Sequence, residues 1–219
     1  MYIRLIYFIT GIICLGTSWS CRISQQNQVS QGNNSTAITD TIQTSDRSKT
    51  NRPATKTVTI TVEGEKTPLL LKLYEEYRDL FTTYFPEQDF LAEGISSGEG
   101  TGVRFIANFG GSKNENAYVS FSFLNGIKSI EQLRKFVNGK SGLITSNGWR
   151  VVSRTQKVSY SWAKEKIVFR KGQDITGTVY LGQQNGRVFY AIAHYPVEYG
   201  DGFPPRSNLI LQNLQVASQ

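Results

Sequence analysis

The chain has 219 residues, a net charge of +7 and 12% aromatic residues, enough for one packed core but not for two full domains beside its N-terminal segments. Its two cysteines, Cys14 and Cys21, lie near the N-terminus, so the remainder holds no disulfide framework and no thiolate metal site. His194 is the one histidine, which excludes a multi-histidine metal site.

Met1 to Cys21 is patterned as a secretory signal. Arg4 is the one charge of a short leading region, and Leu5 to Leu15 is a mostly apolar run of eleven residues, short for a membrane span. Ser18-Trp19-Ser20 places small residues at two positions that a signal peptidase reads, and Cys21 follows directly. This resembles a bacterial lipoprotein signal, in which the cysteine becomes the lipidated first residue; Cys21 is then the lipidation site. Ser18 and bulky Trp19 depart from that pattern. Plain secretion and an uncleaved anchor are the other two readings, and all three place the folded part outside the cytoplasm. Residues 21–55 follow as a tether rich in Ser, Thr, Gln and Asn, without aromatics and with too little apolar surface to offset chain entropy. The globular domain is expected over 56–219.

Val58, Ile60 and Val62 alternate with threonines, which predicts a half-buried strand over 57–62. Thr67-Pro68 has the form of a helix N-cap and first position, and Leu70, Leu73, Tyr77, Leu80, Phe81 and Tyr84 continue at helical spacing. The expectation is a helix over 68–83, stopped by Pro86. Glu87 to Gly102 is expected to be a loop ending in GEGTG. A phosphate cradle needs a helix after its glycines, and here a strand, Val103 to Phe109, follows. Ala117 to Phe123 is a second clear strand. Ser129 and Gln132 form a capping box before a short helix that Gly139 ends. Leu143 to Ser146 fits more than one element type. Strands are then expected over Trp149–Arg154 and Ser161–Arg170.

Ile175 to Pro196 predicts a β-hairpin around Asn185-Gly186, because both residues tolerate the positive φ of a type I′ turn. Both faces of its second strand are largely apolar, so that strand should be central and covered on both sides. Arg206 to Leu214 has the pattern of a final helix. The expected fold class is α/β of the α+β type: a central, mostly antiparallel β-sheet with helices on both faces.

The segments FPEQDF, VRFIANF, AYVSFSF, SIEQLRKFV and GTVYLGQQNGRVFYAIAHYP, closed by FPPRSNLILQNLQ, come in an order that resembles the PsbP-type α/β/α sandwich. The likeness covers about residues 85–215, and the chain is also similar to uncharacterised lipoproteins of cyanobacteria. It implies an extrinsic protein on the periplasmic or thylakoid-lumenal face of a membrane, in a family whose members bind or help assemble photosystem complexes. It assigns no functional residue, since no motif matches position by position.

Charge is unevenly spread. Glu63 to Glu99 holds nine acids and three bases, net −6, whereas Lys128 to Lys171 holds eleven bases and two acids, net +9. The basic run Arg150, Arg154, Lys157, Lys164, Lys166, Arg170 and Lys171, interleaved with aromatics, is the candidate docking surface. Behind an export signal its partner is an acidic membrane protein or an anionic headgroup rather than nucleic acid. His194 has no neighbouring carboxylate and fits a core or hydrogen-bonded histidine better than a metal ligand or general base. Glu75, Glu76 and Asp79 fit a solvated face, and Ser96, Ser97 and Ser120 lack a nucleophile elbow. No cofactor or catalytic residue is expected. The expected function is a non-enzymatic, membrane-tethered binding or assembly module. Two alternatives stand beside it: a small-ligand or metal pocket near 93–102, and a hydrolase whose carboxylates converge on His194.

Overall fold

The computed structural model describes residues 51–62 and 64–219, so the signal segment, Cys21 and most of the tether lie outside the described residues. The strands are β1 (Thr55–Val62), β2 (Glu65–Tyr74), β3 (Phe81–Phe85), β4 (Phe90–Ser97), β5 (Gly100–Phe109), β6 (Ser112–Leu124), β7 (Arg150–Thr155), β8 (Ala163–Lys171), β9 (Ile175–Gln184), β10 (Arg187–Pro196) and β11 (Gln215–Val216). The helices are short: α1 (Ile130–Asn138), α2 (Leu143–Ser146) and α3 (Phe203–Gln212). Two antiparallel sheets result, β1-β2-β3-β11 and β4-β5-β6-β10-β9-β8-β7.

This corrects the expected fold class. The protein is mostly β and is not an α/β/α sandwich with helices on both faces. The expected helix over 68–83 is instead β2, a turn and β3. Three consecutive leucines, Leu69 to Leu71, satisfy both a helical and an alternating pattern, and the alternation is realised: Leu69, Leu71 and Leu73 turn inward while Leu70 and Lys72 are exposed. Pro68 is tolerated because β3 pairs only with Lys72 to Tyr74, leaving one side of β2 open at the proline. The expected loop over 87–102 is the hairpin of β4 and β5, closed at Ser97 and Gly100. Gly100 and Gly102 serve close strand approach there, since a Cβ on either would collide with the carbonyl oxygen of Phe123 or Phe121.

The hairpin of β9 and β10 forms as its sequence predicts, with φ of 51° at Asn185 and 79° at Gly186. β10 lies inside the large sheet between β6 and β9, and both of its faces are covered. On one face, here the sandwich face, Phe189, Ala191 and Ala193 join Phe105, Phe121 and Phe123 beneath Tyr74, Phe81 and Phe85 of the small sheet. α3 plugs the side of the sandwich, with Phe203 stacked on Tyr195 at 4.8 Å and the Trp162 indole N–H donating to the Leu211 carbonyl at 3.1 Å. On the other face, the helix face, Val188 and Ile192 pack with Ile130, Leu133 and Val137 of α1. The capping box of α1 is present, Ser129 accepting from the Gln132 N–H. Phe81, Phe105, Phe121 and Phe189 are fully buried, and an aromatic side chain of that size removes roughly 150–250 Å² from water. Residues Ser48–Gln219 form one compact unit, and all three apolar clusters lie wholly inside it, so this unit carries its own core.

Candidate basic docking face

The two covers of the large sheet are offset. α3 packs against β3, β6 and β1 in the sandwich and bonds to Tyr160 and Trp162 ahead of β8, and α1 sits over β9 and β10 on the other side. Beyond buried Ala163, no described element covers the sandwich face of β7 and β8, which is bare among the described residues. Alternation places Arg150, Ser153 and Thr155 of β7, Lys166, Val168 and Arg170 of β8, and Thr176 and Thr178 of β9 on this bare face. Arg150 and Arg170 are direct cross-strand partners, as are Thr155 and Lys166. Each of these side chains is exposed or half-buried. A small depression of about 160 Å³ at the α3 end is lined by Lys157, Ser159, Tyr160, Lys166, Tyr180 and Asn208. The Tyr160 hydroxyl donates to Asn208 Oδ1 at 2.6 Å, and burial pushes the Tyr160 pKa well above its usual value, so it stays a neutral donor.

The seven cations singled out in the sequence separate by face. Lys166, Arg170 and Arg150 share the bare face, Lys157 borders its depression, and Lys171 leaves the end of β8. Lys164 sits at the register shift between Ala163 and Glu165 and is exposed. None of these six makes an ion pair among the described residues. Arg154 differs. It points to the helix face, donating to Glu165 at 3.3 Å and to Asn138 Oδ1 at 2.6 Å. Arg134 of α1 donates to the same nearly buried Glu165 carboxylate at 2.8 Å.

His194 lies on the helix face of β10. Its Nδ1–H donates to the Asn116 carbonyl at 2.8 Å, and its ring stacks on Tyr118 at 4.9 Å, with Trp149 and Phe169 each at 6.0 Å. The Arg104 guanidinium covers the far side of Tyr118 at 4.1 Å. Burial holds the His194 pKa below its ordinary value, and among the described residues no carboxylate contacts the ring. Ser120 is buried beside this stack, whereas Ser96 and Ser97 are exposed on β4.

Two others of the hollows among the described residues lie elsewhere. One of about 380 Å³ at the junction of β2, β3 and β4 has Tyr74, Phe85 and Phe90 for a floor and Glu75, Glu76 and Glu87 on its rim, with Glu87 ion-paired to Lys72. The other, about 210 Å³, is a trough between Ile95 and Tyr190 floored by Gly100, Gly102 and Ser122. The second coincides with the region where a ligand pocket was expected near 93–102. Among the described residues no group of three or more His, Cys, Asp or Glu side chains is placed to hold a metal ion, and no helix is long and apolar enough to cross a membrane.

The bare face was legible from sequence only as a run of bases. Its threonines, Thr155, Thr176 and Thr178, gave no signal beyond strand propensity.

No family model matches the chain, and no curated protein matches it. Among solved structures, one from Bacteroides thetaiotaomicron is 13% identical, covering 64% of this chain and 46% of its own, with a TM-score of 0.36. The chain thus spans under half the length of that protein.

Proposed function

We propose that this protein is a non-enzymatic, extracytoplasmic docking module, tethered to a membrane through lipidated Cys21, that binds an acidic protein surface with the bare face of β7 and β8. The observation that supports this reading is that Arg150, Lys166 and Arg170 make no ion pair among the described residues and stand on a sheet face that no described element covers. Strand cations without internal counter-ions keep their full field for an outside anion. The sheet fixes their backbone, so a partner orders only side-chain tips. Lys157 and Lys166 beside the depression at Ser159 and Asn208 suit one inserted carboxylate.

The test uses immobilised poly-glutamate under a rising salt gradient. Wild type is expected to be retained at low salt and released near about 0.1–0.2 M, where the Debye length falls to roughly 8–10 Å. The pair Lys166→Glu and Arg170→Glu should abolish retention, while Lys135→Glu on exposed α1 should leave most of it. Equal retention of wild type and the double reversal would sink the proposal. Binding to phosphatidylglycerol vesicles but not to poly-glutamate would replace the acidic protein with a lipid headgroup.

A further inference from the structure

The large sheet has two edges, β4 and β7. Exposed edges offer unpaired N–H and C=O groups to any extended chain, and proteins usually guard them with bulges, charges or short length. β7 is guarded. It is bulged between Val151 and Ser153, and it carries Arg150 and Arg154 within six residues. β4 is not. Its eight residues pair with β5 in unbroken register, it contains no proline, and its one charge is Glu93. That charge is already neutralised, because Lys113 Nζ bridges Glu93 and Glu115 at 2.6 Å each, and Arg104 lies against Glu115 at 3.6 Å. Leu91 and Ile95 flank it on the helix face, 40% and 47% exposed, where no helix covers β4.

We infer that β4 is a self-association edge, pairing antiparallel with β4 of a second copy about a two-fold axis at Glu93. The sequence of the edge is self-complementary in that alignment alone. Residues whose numbers mirror about 93 face each other, so Leu91 of one copy meets Ile95 of the other on the helix face, twice. The four aliphatic side chains make one strip across the junction. The two Glu93 carboxylates meet at the axis, each held by its own Lys113, so the clusters of two acids and two bases join without net charge. On the opposite face Ala92 meets Gly94, and neither obstructs the approach. A shift by one residue sets Leu91 against Ser96 in one direction and against Gly94 in the other, and either way the aliphatic strip is broken. A closed two-fold pairing also consumes the edge, which explains how an unguarded strand avoids open-ended growth. Tethering raises the effective concentration of one copy near another, so weak pairing suffices.

The unit Ser48–Gln219 contains no cysteine, which makes crosslinking selective. Glu93→Cys alone should form a disulfide dimer under mild oxidation. Leu91→Cys and Ile95→Cys should each crosslink slowly alone and rapidly when mixed, because 91 faces 95. Thr155→Cys on the β7 edge should remain monomeric. Sedimentation equilibrium of the unmodified unit should show a monomer–dimer equilibrium that Ile95→Lys, an exposed change leaving the circular dichroism intact, weakens by about tenfold or more. A monomer at every concentration up to about 1 mM would overturn the inference. So would a dimer indifferent to Ile95→Lys, faster crosslinking at 155 than at 93, or self-crosslinking of Leu91→Cys as fast as the mixture.

Discussion

The β4 and β7 edges of one sheet differ in what holds them as well as in what they expose. β4 is tied to the core by the sandwich: its own Phe90 contacts Phe203 of α3, and the Tyr77 ring lies against Gly94. β7 lies beyond the sandwich and hangs on the helix face alone, through Trp149 stacked on Phe169 at 3.9 Å and through the Glu165 carboxylate that joins Arg154 to Arg134 of α1. A sheet wider than either of its covers must be half bare at each end. This protein leaves a cationic half at one end and a neutral, partly aliphatic half at the other. The chemistry left bare is what distinguishes a surface for an anion from a surface for a like strand.

The comparison breaks most readily at Trp149. Trp149→Ala removes a buried ring from the helix-face cluster, with an expected loss of about 3–5 kcal/mol in urea unfolding. Hydrogen exchange should accelerate in β7 and β8 well before β4 and β5. Uniform acceleration would show that the two ends unfold together and that the difference in anchoring has no local consequence.

Glu165→Ala sharpens the contrast with a smaller effect. Glu165 is nearly buried, but Arg134 and Arg154 are more than a third exposed, so solvent takes over part of their stabilisation. The expected loss is about 1–2 kcal/mol. The same change frees Arg154 from its internal counter-ion, but Arg154 lies on the helix face, away from the docking face, so retention on poly-glutamate should change little. A marked shift of retention to higher salt would extend the docking surface onto the helix face.

Much of this contrast was legible in the sequence, and some was not. The Asn185-Gly186 hairpin and the Ser129 capping box were legible because each depends on residues within a few positions. The small sheet was not. β2 and β3 meet over only three residue pairs, and Leu69 to Leu71 fit two periodicities until β1 and α3 supply the face they bury against. Without that second sheet the expected layers were helices, which led to the wrong fold class. The basic run was visible as composition, but the inward turn of Arg154 depended on Glu165 and on the bulge at Val152, which no linear pattern reports.

His194 provides the finest test, because its ring lies between the two ends. Tyr118, on the β4 side, stacks on one face, while Phe169 and Trp149 lie on the β7 side. Burial is the main cause that lowers its pKa below 6.5; Lys171 and Arg104 act in the same direction, and the Asn116 carbonyl opposes them. The unfolded chain therefore takes up a proton first as pH falls. The stability that depends on neutral His194 is fully present above about pH 6.5 and declines below it, toward the lower folded value. One proton sets the limit, at most about 1.4 kcal/mol per pH unit. Glu115 and Glu131, both lowered from 4.5, titrate beneath this window. Urea midpoints should fall between pH 7 and pH 5 in the wild type and stay flatter in His194→Gln, whose amide keeps a donor for the Asn116 carbonyl. Hydrogen exchange at pH 5.5 then decides how the halves are coupled. Acceleration at both edges marks His194 as a shared joint, whereas acceleration confined to β7 and β8 shows that the sandwich holds the β4 end independently of the ring.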